Sequence, residues 1–217
     1  MTLRFHPLLG AALSVCVLGM PTAHASIEVD DATRSGNPGF YRQLDSALAT
    51  LEKSGDPHIR DLLAALRAAP GRITIRQMTG DPSTWSNQGD PDHGHTNPGD
   101  GRPKNSDRSA PASATTFVPL SALQTGHGQW KNGVLVHELV HALDLATGHW
   151  NGDSSVRERR ATFMQNLWRR DVGAPLRESY HGRFATLDYQ HAAREGTITE
   201  YVGYILTRSD FPKPAGH

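Results

Sequence analysis

Val134-Leu135-Val136-His137-Glu138-Leu139-Val140-His141-Ala142-Leu143-Asp144 decides how the rest of this chain is read. From Val134 to Leu143 the run is apolar except for two histidines and one glutamate, a pattern that predicts a buried helix. His137 and His141 are four residues apart, so on a helix they project from one face, where two imidazole nitrogens can converge on one cation. Glu138 is turned by about 100° from His137, beside such a cation and not on it. That is the position of a general base for hydrolysis in the His-Glu-x-x-His pattern. Burying three such groups is costly unless something pairs with them, and a Zn2+ ion with its ligand shell would do so. A chance match on a core helix, with both histidines bonded to backbone, is the alternative.

The helix is expected over 129–146, with Gly148 as its C-cap. Two histidines do not complete a catalytic zinc site, which takes three protein ligands and keeps one position open. Position 147, where a metzincin would place a third histidine, holds Thr147, and His149 lies beyond the helix-ending glycine. Glu158 falls near the start of the next expected helix, which runs from Ser154 or Ser155 to Asp171, and it follows His141 by 17 residues. It suits a ligand delivered by a second helix. Ser155-Val156-Arg157-Glu158 also fits a capping box, in which Glu158 would satisfy a backbone N–H. Glu178, Glu195 and Glu200 are the other acidic choices. Asp144 shares nearly the same helix face and is read as a residue that orients a ligand imidazole.

The remaining chain of 217 residues reads as one α+β domain, 26–217, behind a targeting segment. Residues 1–25 combine Arg4, an apolar run and Ala23-His24-Ala25, which is the pattern of a secretory signal. The one cysteine, Cys16, lies inside it, so thiol catalysis, disulfides and cysteine zinc sites are excluded from the mature chain. Balanced charge, with 22 basic and 22 acidic residues, recommends neither nucleic acid nor an anionic membrane as partner. Helices are expected over 40–53, from Pro57 to about Ala69, and over 197–207, with a strand over 73–78. Residues 79–114 turn to Gly, Pro, Asp, Asn, Ser and His and read as a long irregular loop, in which Asp90, Asp92, His93, His95 and Asp100 are solvated. An edge strand over 115–120, ended by proline, would lie beside the metal and hold an extended substrate.

Three blocks in order, HELVHALD, RERRATFMQNLWRRD and GAPLRESY, resemble the effector zinc metalloproteases of plant and animal pathogens (the HopH, XopG and NleD type), and their order is similar to that in the clostridial neurotoxin light chains. The resemblance implies a zincin-like fold, with a small sheet, the His-Glu-x-x-His helix and a mostly helical C-terminal half. It implies His137, His141 and Glu158 as zinc ligands, Glu138 as base, and Arg177 with Tyr180 as donors to the oxyanion. The same resemblance implies an endopeptidase acting on a protein or peptide, expected to be a host protein, as an effector or virulence factor; from residues 1–25 the chain is expected to be secreted, with delivery into host cells as a further route, and it is expected to be a monomer. Other classes consistent with the residues are a non-catalytic host-protein binder with structural zinc and a periplasmic peptidase.

Overall fold

The computed structural model describes residues 27–29, 35–78, 94–123, 132–177, 179–180, 184–185 and 187–212. Residues 1–25, read above as a secretory signal, lie outside them, as do Asp90, Asp92, His93 and Glu178. Among the described residues the chain forms an α+β fold with six α-helices and a small mixed sheet. No helix among them is long and apolar enough to cross a membrane.

The N-terminal helices follow their caps. Helix α1 (Pro38–Glu52) starts where the Asn37 side chain accepts from Phe40 N, and it buries Phe40, Leu44, Ala47 and Leu51 at helical spacing. Helix α2 (Pro57–Ala68) starts at Asp56, which caps His58 N, with Pro57 in the first turn. Ile59, Leu62, Leu63 and Leu66 form its buried stripe.

The sheet has the order β1-β2-β4-β3, with β1 at Ile27–Val29, β2 at Ile73–Gln77, β3 at His95–Pro98 and β4 at Ala114–Val118. β1 and β4 both run parallel to β2, and β3 runs antiparallel to β4. Two expectations are corrected here. The strand read as an edge is interior: Ala114, Thr116 and Val118 are buried, and β4 is paired on both sides. Its proline signal misleads because Pro119 lies just past the last ladder pair, Gln77 with Val118, and removes no bond from the sheet. The true edge is β3, within a stretch read as irregular. There His95-Thr96-Asn97-Pro98 pairs with Phe117 back to Ala114.

Helix α3 (Gly133–Thr147) packs on β4 and β3, begins later than expected, and is buried on every side from Leu135 to Ala146. A helix so enclosed cannot leave its last carbonyls to water. Leu143 O accepts from Thr147 Oγ1, and Asp144 O accepts from His149 N at 2.7 Å. Leu145 O accepts from Ala112 N at 2.9 Å and Ala146 O from Gly71 N at 2.9 Å. Gly148 turns the chain away with φ +77°, as the sequence predicts.

Gly71 makes this closure fit. A Cβ there would lie 2.4 Å from Ala112 O and 2.7 Å from Ala146 Cα, both of them backbone atoms unable to swing aside. Gly71→Ala is therefore expected to destabilise the fold by about 1–3 kcal/mol. A lowered urea midpoint at constant m-value would register it; an unchanged midpoint would show that strand and helix can separate at no cost.

Helix α4 (Ser154–Asp171) lies against α3 and is buried over most of its length despite its arginines. The short hairpin β5 (Ser179–Tyr180) and β6 (Phe184–Ala185) follows. Helices α5 (Leu187–Glu195) and α6 (Ile198–Thr207) complete the chain, and α5 is an element that the sequence reading lacks. Phe163 of α4 stacks on Tyr201 of α6 with ring centroids 5.2 Å apart, and Phe211 packs edge-on to both.

Candidate metal centre

α3 and α4 bring His137, His141 and Glu158 together. Glu158 Oε2 lies 2.9 Å from His137 Nε2 and 3.5 Å from His141 Nε2. One ligand atom from each residue can be chosen so that all lie within 4.8 Å of one another. The imidazole rings stand nearly perpendicular, at 82°, with centroids 4.9 Å apart. Donors on one tetrahedral cation stand roughly 3.4 Å apart for bonds of about 2.1 Å, close to the 2.9 and 3.5 Å of Glu158 Oε2 from the two imidazole nitrogens, so the group could hold a metal ion. Two imidazoles and one carboxylate could hold such an ion in a largely buried place.

The competing use of Glu158 as a helix cap does not occur. Asp153 caps α4 by accepting from Ser155 N at 2.8 Å, which leaves the Glu158 carboxylate one turn further on to face α3. Glu195 and Glu200 are exposed on later helices and stand outside the group. His149 also stands outside it and shares a hydrogen bond with Thr147 Oγ1.

Protonation suits His137 and Glu158 as ligands. Burial lowers His137 to about 4 against the pull of Glu158, so its nitrogen lone pair is available at neutral pH. Burial alone would raise Glu158, yet His141 and His137 hold it well below the usual carboxylate range. His141 is raised despite burial, by Glu158 and then Glu138.

Glu138 is buried beside this group but contributes no atom to it. Burial pushes its carboxyl up to about 7, against His141 and the Thr96 hydrogen bond. The Thr96 hydroxyl donates to Glu138 Oε2 at 2.8 Å and lies 3.1 Å from Thr116 Oγ1, which can supply the proton that Thr96 accepts. Gly94 lets β3 pass this close, because a Cβ there would sit 2.4 Å from Glu138 Cγ. Thr96 and Gly94 carry no local signal in the sequence; they join the site only through the pairing of β3 with β4.

Asp144 does not orient a ligand histidine. Its carboxylate is paired with Arg160, with Oδ1 at 2.6 Å from Nη2 and Oδ2 at 3.2 Å from Nε, and both side chains are fully enclosed. Arg177 has its backbone clasped by the Asn166 side chain, and its Nη1 donates to Gln165 Oε1 at 3.2 Å. Its charge reaches His137, where it opposes protonation. Tyr180 is placed through its backbone, paired with Phe184 in the hairpin.

The group opens into a pocket of about 210 Å³. Glu138, His141 and Glu158 line it together with Thr96, His95 and Lys104 and with Trp150 and Arg157. His95, expected in solvent, is half-buried here with Lys104 Nζ 2.7 Å from its Nε2. Compared with protein-family models, curated proteins and solved structures, the chain finds no match.

Proposed function

We propose that this chain is a zinc-dependent endopeptidase of the glutamate-zincin type, secreted by way of residues 1–25 and acting on a protein, with a host protein as its target in the manner of the effectors that its motif order resembles. One observation carries the reading: Glu138 borders the His137, His141 and Glu158 group without belonging to it. A metal-holding set with a basic carboxylate alongside is the arrangement that hydrolysis needs, whereas a structural site would recruit every nearby donor. The two imidazoles and one carboxylate favour zinc over harder cations.

Bound zinc supplies Lewis acidity towards a peptide carbonyl and makes a nearby water more acidic. Glu138 takes a proton from the attacking water and returns it to the departing amine. Its carboxylate lines the pocket beside His141 and Glu158, which is the place both transfers require. Thr96 fixes the carboxylate rotamer through its 2.8 Å hydrogen bond. Among the described residues β3 stands at an edge of the sheet and touches Glu138 through Thr96, so an extended substrate that adds to this edge would lie beside the site. Arg177 and Tyr180 are proposed to meet the negative charge that develops on the carbonyl oxygen.

The test is cleavage of a proteome-derived peptide mixture, read by mass spectrometry of new termini. Cutting should stop on chelation and return with one equivalent of zinc. A protein that binds one zinc tightly and cuts nothing would sink the reading.

A further inference from the structure

Lys104 has no part in the hydrolysis described above, yet it lines the same pocket as Glu138 and Glu158. Its placement is built from several sides. The Trp150 indole N–H donates to Lys104 O at 2.8 Å, and Trp150 O in turn accepts from Arg108 N at 2.9 Å. Arg108 is almost fully buried and gathers the segment around itself. It donates to both Asp100 carboxylate oxygens, at 2.9 and 3.1 Å, and to the carbonyls of Ser106 and Arg102. The stretch that delivers Lys104 is thus an ordered scaffold around a buried guanidinium.

The end of the side chain is placed as well. His95 Nε2 lies 2.7 Å from Lys104 Nζ, and burial, then Lys104 itself, lowers His95 to about 4, so the ring is neutral and accepts one ammonium proton. The ammonium has three donors, so this contact leaves capacity for a ligand. Arg157, which lines the same pocket, stacks on Trp150, with its guanidinium carbon 4.4 Å from the ring centroid, and Nη1 anchored on Gly152 O. Two cationic side chains lining one pocket are a recognition feature for an anion.

We propose that Lys104, with Arg157 in the same pocket, forms a carboxylate-binding subsite that selects substrates bearing a carboxylate close to the scissile bond. Selection at the scissile bond rests on the peptidase reading, whereas binding of the carboxylate does not. The carboxylate can be an Asp or Glu side chain or the free end of a chain, and the experiment separates the two. Because Lys104 is already held by His95 and its own backbone bond, little side-chain freedom is lost when the anion arrives.

The measurement is calorimetric binding to zinc-loaded Glu138→Gln protein, which retains peptide while it is titrated. Three hexapeptide series share one sequence: a single Glu moved along an amidated chain, a Gln counterpart ending in a free carboxylate, and the same Gln counterpart amidated. A carboxylate in the favoured place should tighten binding by about tenfold or more over the neutral peptide. That advantage should vanish in Lys104→Met and persist in Lys104→Arg. Preference in the first series alone assigns internal acidic residues, preference in the second alone assigns chain ends, and preference in both assigns the carboxylate irrespective of source. Equal binding of all three, or a preference that survives Lys104→Met, overturns the subsite. Wild-type turnover is read separately. Cleavage without acid preference removes the subsite and leaves the peptidase; acid-selective binding without cleavage does the reverse.

Discussion

Glu138→Gln should hold zinc as the parent protein does and lose hydrolysis, with kcat falling by about a thousandfold or more. The substitution is nearly isosteric, and the amide oxygen can still accept the Thr96 hydroxyl at the present 2.8 Å contact. The three residues able to hold the metal are untouched, since Glu138 contributes no atom to them. What disappears is the ability to take a proton. Folding stability should stay level or rise, because a buried carboxyl whose burial already raises it to about 7 gives way to a neutral group. Turnover, zinc calorimetry and thermal unfolding on one preparation separate the possibilities. Loss of activity together with loss of zinc would make Glu138 a ligand or a structural group. Full activity would remove it from the mechanism.

That prediction was legible in the sequence, and the reason is geometric: His137, Glu138 and His141 sit on one helix, where spacing in the chain fixes direction in space. The start of α2 and the C-terminal end of α3 were legible for a related reason. Asp56-Pro57 and Thr147-Gly148 are local punctuation whose chemistry needs no distant partner. Glu158 was readable only to a choice between ligand and cap, because the deciding fact, that Asp153 caps α4, depends on which of several polar residues the backbone selects. β3 was not readable. His95-Thr96-Asn97-Pro98 has none of the alternation of a strand, and it becomes one because β4 offers a partner and Thr96 finds both Thr116 and Glu138. Arg108 stands in the stretch read as irregular from its composition, and its burial follows from Asp100 and carbonyls that close around it. Lys104 entered the pocket by that same closure. Residues whose roles come from contacts across the fold leave no pattern in a short window.

Asp144 and Arg160 give the largest expected effect on stability. The pair is bidentate and neither side chain reaches solvent. Arg160 also donates to Asp210 O at 2.7 Å and Ile205 O at 2.9 Å, so one guanidinium joins the metal-binding helix α3, its neighbour α4, helix α6 and the segment after it. Asp144→Asn keeps the shape and removes the charge, which leaves the guanidinium buried without a counter-ion; the expected loss is about 3–5 kcal/mol. Arg160→Met should cost as much, because it abandons a carboxylate and two carbonyls together. The double variant Asp144→Leu with Arg160→Met should be more stable than either single one, since no buried charge remains. It should still fall short of the parent, because Ile205 O and Asp210 O lose their donor at about 1–3 kcal/mol each. Burial pushes the Asp144 carboxyl up even against Arg160, so desolvation already weighs on this pair, and net attraction between the charges is the smaller part of its role. Urea unfolding of the parent, the single variants Asp144→Leu and Arg160→Met, and their combination closes the cycle and yields the coupling energy directly, while Asp144→Asn reports removal of the charge alone. Single losses that add in the double variant would mean that the two charges do not depend on each other. A strong positive coupling would mean that the pair acts chiefly to join the C-terminal helices to the helix carrying His137 and His141, in which case zinc affinity should weaken in both single variants and largely return in the double.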